Sequence, residues 1–322
     1  MRTLITGGAG FIGSHLSRAF IRDGWEVFIL DDLLTGQRDS VPAQAALFAG
    51  SVADAHKARE ILTIVRPDVV VHLAAQASVL TSMRRPAEDA TANIVGTINV
   101  VQAAIECNVP RIVMASSGGA IYGEHDDPCS ESSDADPQSA YGISKLAAEQ
   151  YARMLVNQSQ SQCIALRMGN AYGATNNSPN KHRRLIETTL ATWAKNGTVT
   201  VFGNGHSVRD YVFINDVVDA FLLAAQSDVD GSFVPLNIGT GCSTSVTSLL
   251  DLIQAECVRH GWQSQFHRDH VLPHFGEVST NRLDVSKARD LIGWNAKTSL
   301  ARGIESLVSE YPHKSPHQPS VY

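Results

Sequence analysis

Gly7, Gly10 and Gly13 recur at three-residue intervals in the segment GGAGFIG, and two acids, Asp31 and Asp32, follow roughly 20 residues on. The residues before the loop, 2–6, favour a strand; those after it, 11–23, bring Phe11, His15, Ala19 and Arg22 round at helical spacing. A glycine loop in that setting suits a dinucleotide. Gly7 permits the tight turn, Gly10 lets the backbone approach a pyrophosphate, and Gly13 lets helix and strand pack closely. The helix start at Phe11 and Ile12 offers unpaired N–H groups to the anion. Asp31 is placed to bind the adenosine ribose, and the charge of Asp32 would repel a 2′-phosphate; the one nearby base is Arg38. These residues select NAD rather than NADP.

A second pair carries proton chemistry. Tyr141 and Lys145, in YGISK, stand four residues apart in a predicted helix, on one face and a turn apart. A cation there favours tyrosinate and draws the phenol down from its ordinary value near about 10. The result is a general acid/base able to trade a proton with a sugar hydroxyl while hydride moves to a nicotinamide. By itself this spacing is common on surface helices; downstream of a dinucleotide loop it reads as catalytic.

The elements that must position these groups alternate along the first half of the chain. Strand-like runs fall at 2–6, 26–30, 69–73, 111–115 and 163–168, with helices expected at 11–23, 86–107 and 138–157. Such alternation means a parallel sheet covered on both faces. After residue 173 the pattern loosens: 174–184 is polar, 185–195 reads as a helix, 199–202 as a strand, and 236–239 as a strand rejoining the main sheet. The expected fold is α/β, a Rossmann-type doubly wound parallel sheet with a smaller, discontinuous α/β substrate lobe. Its expected division is 1–172, completed by about 211–241, for the cofactor, and 173–210 with 242–312 for the substrate; 313–322 reads as a flexible tail.

Composition bounds the remaining classes. At 322 residues, with 43% hydrophobic and 18% charged residues, the chain suits a soluble globular enzyme. A net charge of −6 argues against nucleic acid as partner. No apolar run reaches the roughly 20 residues of a membrane span. Five scattered cysteines show no metal-ligand spacing, and their odd number fits a reducing, cytoplasmic setting. No metal is expected.

In order along residues 1 to 310, the chain resembles the extended short-chain dehydrogenase/reductase family, and within it the NAD-dependent nucleotide-sugar 4-epimerases. The likeness is carried by GGAGFIG (7–13), DDLLTG (31–36), VVHLAAQASV (70–79), Asn93 with Gly96, and SSGGAIYG (116–123). It continues in YGISK (141–145), RMGNAYG (167–173), VFGNGHSVRDYVFINDV (201–217), NIGTG (237–241) and LDVSKARDLIGW (283–294).

The resemblance implies roles. Tyr141 is the acid/base, and Lys145 lowers its pKa and bonds the nicotinamide ribose. Ser51 and Val52 contact adenine, with Ser51 where relatives carry an acid. Leu73, Ala74 and Ala75 line the pyrophosphate, Asn93 supports the cofactor, and Tyr172 lies near the nicotinamide. Asn170 contacts the sugar nucleotide, Thr200 and Phe202 the base, and Arg209 the diphosphate. It also implies a homodimer through the helices after Pro86 and Gln138.

Two departures stand out. The position four before Tyr122, where many relatives carry a catalytic Ser or Thr, is Gly118. Ser117, Ser116 or a water must replace that hydroxyl; in an extended strand Ser116 shares a face with residue 118, and Ser117 reaches the site if the backbone turns. The arginine of a phosphate-binding R-P-G-D/E segment is replaced by His274, so that Arg282 or His274 stands in, or the diphosphate is held more weakly.

Gly119 and Ala120 bear on the reaction. Sugar-nucleotide dehydratases and decarboxylases carry acids there, and neither residue can move a second proton. The segment 74–82 lacks the arginine that meets a uronate carboxylate, favouring a neutral hexose. The expected activity is 4-epimerisation of a UDP-hexose, glucose/galactose or the N-acetylhexosamine pair, by transient oxidation at C4, rotation of the keto sugar and hydride return. The alternatives are a nucleotide-sugar reductase or dehydrogenase, and a non-catalytic NAD-sensing protein on the same fold.

Overall fold

A computed structural model describes residues 1–174, 184–263, 265–272 and 278–311. The first stretch runs β1 (Arg2–Thr6), α1 (Phe11–Arg22), β2 (Glu26–Asp31), β3 (Ala46–Ala49), α2 (Ala55–Val65) and β4 (Val69–His72). Next come α3 (Val79–Arg84), α4 (Pro86–Ala90), a π-helical turn (Thr91–Val95), α5 (Gly96–Glu106), β5 (Arg111–Ser117) and α6 (Gly118–Ile121). They are followed by α7 (Ala140–Val156), β6 (Gln162–Met168), β7 (Asn170–Tyr172), α8 (Leu185–Trp193), β8 (Thr198–Phe202) and β9 (Val208–Phe213). The last are α9 (Ile214–Gln226), β10 (Phe233–Ile238), β11 (Ser243–Ser245), α10 (Val246–Arg259), β12 (His267–Val271), α11 (Ser286–Ile292) and α12 (Leu300–Glu310).

Seven strands form one parallel sheet in the order β3–β2–β1–β4–β5–β6–β10. The chain winds outward from β1 to β3, then returns to β4 on the other side of β1. Strand order reverses between β1 and β4, and a crevice opens there at the strands' carboxyl ends. The glycine loop leaves β1 and the 73–75 segment leaves β4, so both border that crevice.

Apolar helix faces cover the sheet on both sides. Leu16, Ala19 and Phe20 of α1 pack with Val217 and Phe221 of α9 and with Trp294 on one face. Ile61 and Leu62 of α2, Val100 and Val101 of α5, and Ala148 and Ala152 of α7 pack on the other. Each large aliphatic or aromatic side chain buried this way contributes about 1.5–3 kcal/mol. Helix α1 ends where Gly24, at φ 80°, adopts the left-handed conformation that closes a helix.

A third core, around Trp193, Ile253, Trp262 and Ile304, belongs to a smaller lobe. Its strands form two short sheets, β11–β9–β7 and β12–β8. The strand at 236–239 expected to rejoin the main sheet begins earlier, at Phe233, and pairs in parallel with β6. The helix expected over 86–107 is interrupted by the π turn that carries Asn93. The tail 313–322 lies outside the described residues.

Candidate active site

The cofactor end is shaped by what a Cβ could not enter. Gly7 sits at φ 72°, and a Cβ there would stand 2.7 Å from the backbone nitrogen of Ala74. A Cβ on Gly13 would collide with the Gly7 carbonyl, so α1 and β1 approach as closely as only glycine permits. Gly10 caps α1 with no side-chain hydrogen bond, leaving the first N–H groups, those of Phe11 and Ile12, without a capping acceptor. A diphosphate fits this cradle: Gly7, Gly8 and Gly10 carry no side chain, and the N–H groups that open α1 have no capping side chain.

Asp31 is the last residue of β2 and is buried. It does more than await a ribose: Oδ2 accepts from Ala9 N at 2.9 Å and Oδ1 from Leu33 N at 2.8 Å. It therefore pins the glycine loop, and burial pushes its carboxyl above the usual range against the pull of those two N–H groups. Asp32 is exposed and accepts from Leu34 N. Ser51 and Val52 follow β3, where Asn99 of α5 donates to the Val52 carbonyl at 3.0 Å. Leu73, Ala74 and Ala75 line the opposite lip, with Leu73 N on the Thr6 carbonyl.

Beneath that lip lies a hydrogen-bonded chain that the sequence reading does not single out. Thr97 donates to the Asn93 carbonyl at 2.6 Å, so His72 Nε2 donates to Thr97 Oγ1 at 3.0 Å. His72 Nδ1 then accepts from Thr6 Oγ1 at 2.7 Å. Burial pushes His72 down to about 3 and holds it neutral, as this chain requires. Asn93 is buried; its amide oxygen accepts from Gln76 N at 2.8 Å and its nitrogen donates to Gln76 O, Asp89 and Ser144. Asn93 thus acts through the loop after β4, whose backbone it holds. Asp89 lies one turn before Asn93, a spacing that could have flagged it.

Helix α7 brings the proton-transfer groups in. Ser139 caps it by accepting from Gly142 N, and Ser82 of α3 accepts from Tyr141 N at 3.0 Å. Gly142 packs so tightly on the Ala120 carbonyl that a Cβ would collide, and this contact sets Tyr141 against the end of β5. There Ser117 is the hydroxyl that acts on the phenol and pulls its pKa down. Ser116 is buried and its hydroxyl has no partner among the described residues. Ser117, the last residue of β5 and the cap of α6, keeps extended backbone, so ordinary alternation puts it on the face opposite Ser116 and toward the tyrosine. Gly118 cannot carry the missing hydroxyl, because a Cβ there would stand 2.8 Å from Leu283.

Lys145 is buried and held by the backbone of β5. Its Nζ donates to the Ala115 carbonyl at 2.9 Å, and burial lowers it to about 8. Tyr141 is pushed up to about 12, chiefly by burial, with Ser117 pulling the other way. In the chain alone, desolvation and the nearby Asp89 outweigh Ser117 and favour the neutral phenol.

Tyr172 corrects an expectation. It is 1% exposed, lies edge-on to Phe213 at 5.4 Å and packs on Gly303 of α12. Its side chain is buried in the smaller lobe's core, while Asn170, two residues earlier on the same face of this short strand, is exposed. Asn170 Oδ1 lies 3.3 Å, and Ser117 Oγ 4.0 Å, from where a Cβ on Gly119 would stand. An amide and a hydroxyl, not an acid, border the Gly119 position.

On β8, Thr200 and Phe202 are exposed while Val199 and Val201 are buried. Arg209, half-buried on β9, donates to the Val208 carbonyl. Arg282 lies between Asn281, which donates to the Gly118 carbonyl, and Leu283, which packs on Gly118. Alternation places its side chain on the other face of that segment. Glu124 accepts from Ser279 N and Thr280 N and holds the segment beside β5. His274 lies outside the described residues. Among the described residues no cluster of potential metal ligands occurs and no helix is long and apolar enough to cross a membrane.

Comparison with known proteins agrees with this geometry. The profile of the NAD dependent epimerase/dehydratase family matches residues 3–239. A UDP-glucose 4-epimerase of Mycolicibacterium smegmatis is 36% identical over 321 residues, covering 98% of this chain and 100% of that one. The crystal structure of Thermotoga maritima UDP-glucose 4-epimerase with UDP-glucose superposes with a TM-score of 0.89 at 35% identity, covering 96% of this chain and 98% of that one. That of the Thermus thermophilus UDP-glucose 4-epimerase in complex with NAD gives 0.87 at 32% identity, with the same coverage.

Proposed function

The chain belongs to the NAD dependent epimerase/dehydratase family, and from that premise we propose that it interconverts UDP-hexoses at C4, with UDP-glucose and UDP-galactose as the favoured pair. The observation that carries this reading is the surround of Tyr141: Ser117 beside the phenol, with Gly119 and Ala120 where a second acid would be needed for dehydration. NAD, when bound in the glycine-loop crevice, supplies reversible hydride acceptance beside the sugar.

Tyr141 accepts the C4 hydroxyl proton as the carbon is oxidised and returns it on reduction. Ser117 orients the phenol and bonds the same sugar oxygen. Lys145, fixed by the Ala115 carbonyl, holds positive charge near the phenol and reaches the nicotinamide ribose. Asp31 steadies the loop that receives the adenosine half, with Ser51 and Val52 at the adenine. In the second lobe, Thr200 and Phe202 hold the uracil base, Arg209 and Arg282 the diphosphate, and Asn170 the sugar. Ligand contacts far from C4 let the keto sugar turn while its nucleotide stays fixed.

Exposed Ile143, Tyr151 and Met154 fall on one face of α7, and exposed Val95 lies beside α5, which packs on α7. This apolar face supports a homodimer, and Ile143→Lys with Met154→Lys should give a monomer by light scattering. Incubation of purified protein with UDP-glucose and no added NAD tests the activity. UDP-galactose should accumulate to equilibrium; turnover that requires added NAD(P)H would instead identify a reductase.

A further inference from the structure

The two lobes meet at the glycine loop through a closed ring of contacts that the proposed reaction does not use. Phe11 opens α1, and His15, one turn on, meets its ring edge-on at 5.6 Å. On the opposite side of the contact, the Arg184 guanidinium lies 3.2 Å from the centroid of the Phe11 ring. Arg184 pairs with Glu187 at 3.0 Å, at the start of α8. Glu187 also accepts from Gly173 N at 3.0 Å. The next carbonyl, Ala174 O, accepts from His15 Nε2 at 2.9 Å, which returns the ring to α1.

We propose that Arg184, with Glu187 and His15, is a latch that ties the second lobe to the NAD-binding helix and slows release of the cofactor. The proposal rests on reading the glycine loop as the NAD site. Phe11 is both the first residue of the helix whose N–H groups face the diphosphate and the residue stacked beneath the guanidinium. The latch therefore acts where the anion is held. A planar cation over an aromatic face, half-buried and paired, resists displacement. Burial keeps His15 neutral, so its N–H donation to Ala174 needs no proton from solvent. A ring of this kind preorganises the loop from both sides, which affects dissociation more than association. Retention has a chemical purpose here, because an epimerase returns its cofactor to the starting oxidation state each turn.

The test reads NAD directly. Purified holoenzyme is diluted into excess isotope-labelled NAD, and loss of the resident unlabelled NAD is followed by mass spectrometry. Arg184→Met should speed release about tenfold, within the roughly 2- to 30-fold range of a cation–π contact. Arg184→Lys, which keeps the charge and loses the plane, should fall between Met and the parent. Glu187→Gln still accepts from Gly173 and should have a smaller effect. His15→Phe combined with Arg184→Met should release NAD less rapidly than the product of the two single effects, because one ring is opened either way. Release within twofold of the parent in Arg184→Met, with the parent retaining NAD, overturns the latch. A parent that carries and exchanges no NAD overturns the cofactor reading itself, and the latch with it.

Discussion

The cofactor end and the proposed sugar-nucleotide face of this molecule are built on opposite plans. Around the glycine loop the polar groups are mostly buried and committed to protein partners: Asp31 to Ala9 and Leu33, Asn93 to Gln76 and Ser144, His72 to Thr6 and Thr97. Across the crevice, Asn170, Thr200 and Phe202 are exposed on short strands. The first plan preorganises a site for a ligand that stays; the second presents exposed side chains to one that comes and goes. The proposed reaction needs both, with a fixed redox partner and a sugar that can rotate.

The comparison breaks most completely at Tyr141. Tyr141→Phe should lower kcat by at least about 10²-fold while leaving NAD bound, measured by turnover and by nucleotide released on denaturation. Retained turnover would remove the tyrosine from the chemistry. Ser117→Ala should cost roughly 10- to 100-fold in kcat, and Ser116→Ala should change it by less than about threefold. The reverse ranking would reject the placement of the two hydroxyls. On the cofactor side, Gly13→Ala should lower stability by about 1–3 kcal/mol, read as a reduced melting temperature, and should weaken NAD binding.

Phe202→Ala, on the exposed face, should raise KM for the UDP-hexose by up to about tenfold with kcat little changed, since it removes uniform binding. A smaller effect separates the chain from its loaded form. Because Tyr141 is raised from 10.0 to about 12, the folded, NAD-free chain holds it neutral. That contribution to stability is present below 10.0 and is lost as pH rises through about 12. A cationic nicotinamide should move the titration down, visible as tyrosinate absorbance at lower pH in the loaded protein and missing in Tyr141→Phe.

Much of the cofactor end is legible along the chain because its determinants are local. The glycine loop needs only three glycines between a strand and a helix, and helical spacing alone puts Tyr141 and Lys145 on one face. The sequence reading passes over α2 and β3 in the first half, and over β9, α9, α10 and α12 among others in the second. The second-lobe strands are short, and their pairing is non-local, so periodicity says little there. Tyr172 misled for a related reason. Its motif matches, but the motif does not show which face of β7 meets Phe213 and Gly303.

The glycine loop, the acids after it and the tyrosine–lysine pair together determine a dinucleotide redox site, because backbone freedom and side-chain chemistry are properties of residue type and spacing. Three things are decided only by tertiary structure. Ser117 rather than Ser116 lies by the phenol, because packing decides which face of β5 meets the start of α7. Tyr141 is raised rather than lowered, because burial is a property of the packed molecule. Phe11 and Arg184, far apart in sequence, lie face to face, because two lobes close on the same helix.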